Sequence, residues 1–504
     1  MRALVMLLLV LLSVAPGCSA AWARKSADTL RITWREAVLD PDPYHNALRN
    51  GLVLSHQVWD GLIYRDADTF ALKPLLAESW KYLDETTLEF TLRPDAMFQN
   101  GERVTASDVV YTVATALTDK HVAVPSNYAW LAGAEAVDET HVRIRLKRVF
   151  PAALEYIALV LPILPAEYRT RVGTDEFSRH PIGAGPYRLT SVAPERLVLE
   201  RNEAYRASSS KGVPPIQRVV IRQVSDSQAE LDDLLHGDAD WIWAYAPDKS
   251  TLISANPALQ EVRAESMRIG YLALDAAGRS GAGNPLTNPK VRAAIFAAID
   301  RNALSRTLLA VGGRVPDAPC FPTQFGCDQT AAPRVTLDRP RARALLEEAG
   351  YKDGFNTEIV SYVLPEYAQA AAADLAQIGI RARVSQLPVG DALRRQADGS
   401  APLFMGSWGS YSINDVSAIL PYFFGGGDSD MARDPELEQF VEEGGSTISA
   451  DKRRQAYSRA IRLIGERALW LPLHSYVATY AFSRALIFHP SQDELPRFYQ
   501  ASWK

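Results

Sequence analysis

Segments with the period of a strand and segments with the period of a helix alternate along almost the whole chain, and this alternation restricts the fold more than any other feature. Leu30, Ile32 and Trp34 alternate with polar residues, as do Leu88, Phe90 and Leu92, and again Val142, Ile144 and Leu146. The runs 196–201 and 218–224 repeat the pattern, which is that of a half-buried strand. Helix signals stand between them. Thr105 to Asp108 forms a capping-box-like start ahead of Val109, Val110 and Val113. Asn288-Pro289 supplies a capping side chain and a first-turn proline before the ladder Val291, Ile295, Ile299. Asp338 can cap a helix in which Arg343 and Glu347 are expected to pair, with Gly350 just past its end. An alanine-rich helix is predicted from about Pro365 to Ile378, stopping at Gly379. A last one, from about Ala450, carries Ala456, Tyr457, Ala460, Ile461 and Ile464 on one face. Such a series builds mixed α/β units, not a barrel or a helical array. At 504 residues the chain exceeds what one hydrophobic core supports, so two or three domains are expected.

The first residues read as an address, not as part of the fold. Arg2 precedes an apolar run from Ala3 to Val14, Pro16-Gly17 breaks it, and small residues follow. This is the pattern of a secretory signal peptide over residues 1–23, with Ala21-Trp22-Ala23 as the cleavage site and Cys18-Ser19-Ala20 as the second choice. Ala15-Pro16-Gly17 before Cys18 matches a lipidation signal poorly, so a lipid anchor there is the lesser alternative. Only Cys320 and Cys327 remain, with six residues between them in a loop rich in Pro, Gly and Phe. In an oxidising compartment they either form a local disulfide or stay two buried thiols, and the even pair favours the bridge. The net charge of −5 offers no overall basic face to nucleic acid or anionic lipid.

Motifs of catalysis are missing. None of the eight histidines stands in an H-x-H, H-E-x-x-H or C-x-x-C context, so no sequence-local metal site is expected. The glycines at 281, 283 and 425–427 lack the strand-then-helix setting of a phosphate loop, and no G-x-S-x-G elbow occurs. The chain is therefore read as a non-enzyme without a cofactor. Its aromatics are more informative: Trp241, Trp243 and Tyr245 cluster, as do Trp408 and Tyr411. Rings with a polar handle suit a cleft that holds organic ligands, and equally suit a core.

Several motifs then occur in a fixed order. They begin with Val58 to Leu62, Lys73 to Trp80, Leu88 to Arg93 and Phe98 to Glu102, and continue through Thr105 to Val110, Pro181 to Tyr187 and Arg201 to Tyr205. Leu235 to Asp240, Val291 to Ile295, Ala298 to Arg301, Leu345 to Tyr351, Leu375 to Ile380 and Leu471 to Leu473 complete the series. From about residue 28 to the C-terminus the chain resembles the extracellular solute-binding proteins of the oligopeptide and dipeptide ABC transporter family, family 5.

The resemblance implies an α/β periplasmic-binding-protein-like fold of class II type, two-lobed, with an additional inserted domain. Lobe I would comprise residues 24–65, 181–275 and 470–504, lobe II residues 276–469, and the insert residues 66–180. It implies a monomeric periplasmic carrier that captures a peptide or peptide-like solute and hands it to an ABC permease and ATPase complex. A non-peptide ligand such as an opine, oligosaccharide or conjugate, or a sensory role on the same fold, is the alternative. The residues assigned to the ligand are Trp408, Ser410, Tyr411 and Asp415 on one lobe, facing Trp34, Trp243 and Tyr245 on the other. Dipeptide-type members present an acidic residue to the ligand's amino terminus where this chain has Tyr411, with Asn414 and Asp415 close behind. They also hold the ligand carboxylate with an Arg in a segment that here reads Ser361 to Glu366 and contains none.

Overall fold

The computed structural model describes residues 28–308 and 313–504, so the leader and Cys18 lie outside the described residues. The chain opens with β1 (Thr29–Trp34) and the hairpin β2 (Ile63–Arg65) and β3 (Leu72–Pro74). A four-stranded antiparallel sheet follows, made of β4 (Ala77–Asp84), β5 (Thr87–Leu92), β6 (Leu131–Ala136) and β7 (His141–Leu146) in the order β4-β5-β7-β6. Next come β8 (Tyr187–Ala193), β9 (Arg196–Arg201), β10 (Arg218–Gln223), β11 (Trp241–Trp243) and the sixteen-residue β12 (Leu259–Leu274). The chain ends with β13 (Phe355–Ser361), β14 (Ile380–Gln386), β15 (Leu403–Trp408), the fourteen-residue β16 (Trp470–Ser483) and the pair β17 (Leu486–Ile487) and β18 (Ser502–Trp503).

Ten of these strands form one sheet in the order β14-β13-β15-β12-β16-β11-β1-β10-β9-β8. Its two ends belong to different parts of the molecule, and β12 and β16 are the strands that join them. Leu259–Glu265 pairs with Ser483–Val477 beside β11, whereas Ile269–Ala273 pairs with Ser475–Trp470 beside β15. The ladder is interrupted at residues 266–268, a β-bulge where the strand bends and a side chain is re-aimed. The change of neighbours thus falls inside the two strands, at about residues 266–268 of β12 and 476 of β16.

Period-two alternation explains the cores. Beyond the bulge, Ile269, Tyr271 and Ala273 of β12 pack with Phe404 and Trp470 on one face, while Leu272 and Leu274 pack with Ile359 and Leu403 on the other. The far end of the sheet buries Leu30, Ile32 and Ile221 in a cluster continuous with Leu88, Phe90 and Val142 of the four-stranded sheet. The helix caps behave as their residues require. Thr105 and Asp108 close a capping box, Asn288 accepts from the Lys290 amide at 2.9 Å, and Asp338 from that of Arg341 at 2.9 Å. The expected Arg343–Glu347 pair does not form: Arg343 donates to the Gln377 carbonyl at 3.1 Å and Glu347 pairs with Lys352. Cys320 and Cys327 are joined as a disulfide, with Cα atoms 5.8 Å apart.

Candidate functional site

Three cavities of about 270, 330 and 470 Å³ meet at the crossing of β12 and β16, and Arg49 and Arg268 line all three. Arg49 opens the helix Arg49–Val58; Arg268 is the last residue of the bulge in β12. The middle cavity is walled by aromatic rings. Trp408, at the end of β15, stacks on Tyr422 at 4.4 Å and meets Tyr411 edge-on at 5.4 Å, while its Nε1 donates to the Ala418 carbonyl at 3.1 Å. Tyr411 is 48 % exposed and Tyr422 36 %, so this wall presents ring faces to the space before it. The largest cavity lies on the other side of the two arginines, with Trp243, Tyr245, Tyr367, Tyr476 and Glu494 in its lining. Sizes and linings of this kind are those of a ligand site.

The structure thus brings five of the sequence-assigned residues to one cleft: Trp408, Ser410 and Tyr411 on one side, Trp243 and Tyr245 on the other. Ser410 is itself 2 % exposed. The other two assigned residues lie away from the cavity walls. Trp34 is fully buried in the core, because it points inward from β1 while its neighbour Arg35, one step along the pleat, reaches the cavity lining. Asp415 is buried and already engaged: both carboxylate oxygens accept from Arg453 Nη2, at 2.8 and 2.9 Å, and Oδ1 also accepts from the Ser417 amide. It holds a helix against a loop and lines none of the three cavities.

The segment after Trp408 is unusual in its backbone. Ser410, Tyr411 and Ser412 follow one another with φ of 52°, 49° and 64°, a left-handed run that non-glycine residues adopt at a cost. Contacts from across the cleft fix it. Arg49 Nη1 donates to Ser412 Oγ at 2.5 Å, Arg65 Nη1 to the Ser412 carbonyl at 2.5 Å, and Ser412 Oγ to the Asp493 carbonyl at 2.7 Å. Glu155 accepts from the Asn414 amide at 3.1 Å. Burial would raise the Asp493 carboxyl, but Arg497 and Arg65 beside it outweigh that and hold it well below the usual carboxylate range.

Charges on the cleft are uneven. Arg35 pairs with buried Glu230 at 2.9 Å. Burial lifts the Glu230 carboxyl to about 7 against the opposing pull of Arg35. Glu494 lies 3.3 Å from Arg49 and 3.6 Å from Arg268. Behind the crossing, His474 stacks on Tyr367 at 4.9 Å, and burial lowers its imidazole to about 4, so it is neutral at physiological pH. It packs over Gly270 so closely that a Cβ there would lie 2.8 Å from the ring. Sequence reasoning missed Arg49, Arg268 and Glu494, since isolated charged residues in an alternating pattern give no signal of where a cleft will form. Away from the cleft, His45, Asp119 and His121 lie together with ligand-capable atoms within 4.8 Å of one another, tied into ion pairs with Asp40 and Arg169.

Comparison with known proteins gives a consistent picture. Residues 71–430 match the family described as bacterial extracellular solute-binding proteins, family 5, middle. The glutathione-binding protein GsiB of Salmonella paratyphi A is 26% identical over 457 residues, 86% of each chain. HbpA2 from Haemophilus parasuis has a similar structure, with a TM-score of 0.83, 22% identity and coverage of 94% of this chain and 100% of that one. The periplasmic binding protein DppA from Helicobacter pylori, in complex with the peptide STSA, aligns with a TM-score of 0.76 and 19% identity over 94% and 98% of the two chains. Among the described residues no helix is long and apolar enough to cross a membrane.

Proposed function

The chain belongs to the bacterial extracellular solute-binding proteins of family 5, and from that premise we propose that it is the substrate-binding component of an ABC importer. It captures a peptide or peptide-like solute between two hinged lobes and delivers it to a membrane permease driven by a separate ATPase. The observation that carries the reading is the arrangement at the crossing: two strands are shared by both ends of one sheet, and three aromatic- and arginine-lined cavities meet where they cross.

Strands β12 and β16 act as the hinge, and the lobes are the two ends of the sheet on either side of residues 266–268. The four-stranded sheet belongs to a domain inserted between about residues 66 and 180. A ligand that touches both walls favours the closed arrangement and shifts the population toward it. Micromolar capture needs about 8 kcal/mol, a strength that still allows release to the permease. The leader over residues 1–23 directs the chain to the periplasm, where it works as a monomer.

Native mass spectrometry of the protein purified gently from a periplasmic extract tests the proposal. A discrete non-covalent adduct is expected that is lost on denaturation and fragments as a peptide or amino-acid conjugate. Chemical turnover of that adduct by the purified protein would refute the carrier reading.

A further inference from the structure

We propose that Arg268 is the carboxylate anchor of the cleft, and that the ligand it selects is acidic: a small peptide-like molecule with one more carboxylate than amine. The inference rests on the carrier reading above and deepens it.

Three independent observations lead there. The first is placement. The bulge at Ser266–Arg268 interrupts the ladder between Glu265↔Val477 and Ile269↔Ser475, and it is anchored by a hydrogen bond from the Met267 amide to the Gln492 carbonyl at 3.0 Å. Met267 is buried, and Arg268 is turned to the junction of all three cavities. The second is an unused fork of donors. Among the described residues the Arg268 guanidinium makes no side-chain hydrogen bond; its one ion-pair contact is Glu494 at 3.6 Å, and its side chain is 34 % exposed. Arg49 is spent on Ser412 and the Asp493 carbonyl, and Arg35 on Glu230 and the Ala244 carbonyl. Gly409 sits where a Cβ would come within 3.1 Å of Arg268 Nη2, so the missing side chain leaves the guanidinium its room. A planar guanidinium with free N–H groups matches a carboxylate with two parallel bonds.

The third is charge. The linings of the three cavities hold Arg35, Arg49 and Arg268 against Glu36 and Glu494, an excess of one positive charge on the walls of the cleft. The two smaller cavities contain no carboxylate in their lining, and the position after Ser410 is a tyrosine. A neutral zwitterion would leave one guanidinium charge uncompensated as the cleft closes around it, which is costly in a desolvated site. A ligand of net charge −1 balances it, with one carboxylate on Arg268, its amine facing Glu494, and its uncharged body against Trp408 and Tyr422.

Isothermal titration calorimetry of the mature protein tests this with four probes: reduced glutathione, L-alanyl-L-glutamate, L-alanyl-L-alanine and L-alanyl-L-lysine. The two acidic probes are expected to bind at least tenfold more tightly than the neutral one, with the basic one weakest. Arg268→Gln is expected to erase that preference, and Arg268→Lys to restore part of it, with the apo melting temperature of both variants checked against the parent. Equal binding of acidic and neutral dipeptides overturns the charge selection while leaving the carrier reading intact. A preference that survives in Arg268→Gln overturns the assignment to Arg268. Binding of none of the four overturns the peptide reading itself, and this inference with it.

Discussion

Replacing Asp415 by Asn separates two roles that the residue could play. The carboxylate is 4 % exposed and the Arg453 side chain 6 %, and the two are joined by hydrogen bonds of 2.8 and 2.9 Å from Arg453 Nη2. Two unit charges at that separation attract by about 6 kcal/mol at an effective dielectric of 20, and desolvation offsets much of this. What remains after removing one partner is a buried guanidinium without its counter-ion. Its other contacts, the Gly444 carbonyl at 3.2 Å, the Tyr457 hydroxyl at 3.5 Å and the Phe325 ring at 4.5 Å, do not replace a full negative charge. Asp415→Asn keeps an oxygen to accept from the Ser417 amide, so it isolates the charge from the cap. The expected loss of stability is about 3–5 kcal/mol, read by urea unfolding of the apo protein. The double change Asp415→Leu, Arg453→Met is expected to recover much of it, because no charge is then left unpaired. Affinity for an adduct ligand should fall by less than threefold in the folded fraction. If instead Asp415→Asn unfolds like the parent and loses ligand at least tenfold, the carboxylate belongs to the cleft and the structural role argued here is wrong.

Three further perturbations follow from the same contacts. His45 lies between Asp40 at 2.9 Å and Asp119 at 3.2 Å; burial would lower its imidazole, but these hydrogen bonds and the charge of Asp42 raise it to about 9. A raised pKa stabilises fully below the ordinary value of 6.5 and is lost as pH climbs through 9, so the melting temperature should fall over that window, and His45→Gln should flatten the fall. Tyr411→Asp supplies the acidic group at the cleft, so neutral dipeptides should gain at least about fivefold in affinity relative to acidic ones by calorimetry, and an unchanged ratio would count against the charge argument. Cys320→Ser with Cys327→Ser opens a loop whose closure is worth about 2–3 kcal/mol in the chain-entropy model, which urea unfolding with and without reductant should show.

Much of the fold was legible in the sequence because it depends on local signals. Period two marked β1, β5, β7, β9 and β10, and the side chains of Thr105, Asn288 and Asp338 marked helix starts that the structure contains. The site was only half legible, for a physical reason that Trp34 illustrates. Alternation says that Trp34 and Arg35 face opposite ways but not which of them meets the cleft, and the large apolar ring went to the core. Asp415 was chosen for its charge and its place after Trp408. The partner that consumes that charge, Arg453, lies 38 residues away on the helix Ala450–Glu466, beyond any local pattern. Arg268 was missed because its orientation is set by a bulge, and the bulge exists only in the register between β12 and a strand some two hundred residues later.

That dependence on long-range register bears on how recognition and closure are coupled. Arg49 lines all three cavities of the cleft beside Arg268 and also holds Ser412, so a residue of the binding surface is also one that grips the opposite wall. The left-handed run at Ser410–Ser412 carries strain of about 1–3 kcal/mol per residue, which the bonds from Arg49, Arg65 and Asp493 must offset while the walls are together. Separating the walls would remove those bonds and leave the loop free to relax, so neither arrangement is favoured by the loop alone. A balance of that kind suits a carrier. The contacts of a bound solute then decide the outcome, and a ligand carboxylate on Arg268 would act on the very bulge about which β12 changes its neighbours. Charge recognition and the hinge would share one residue, and selectivity would be expressed as closure without any separate relay between them.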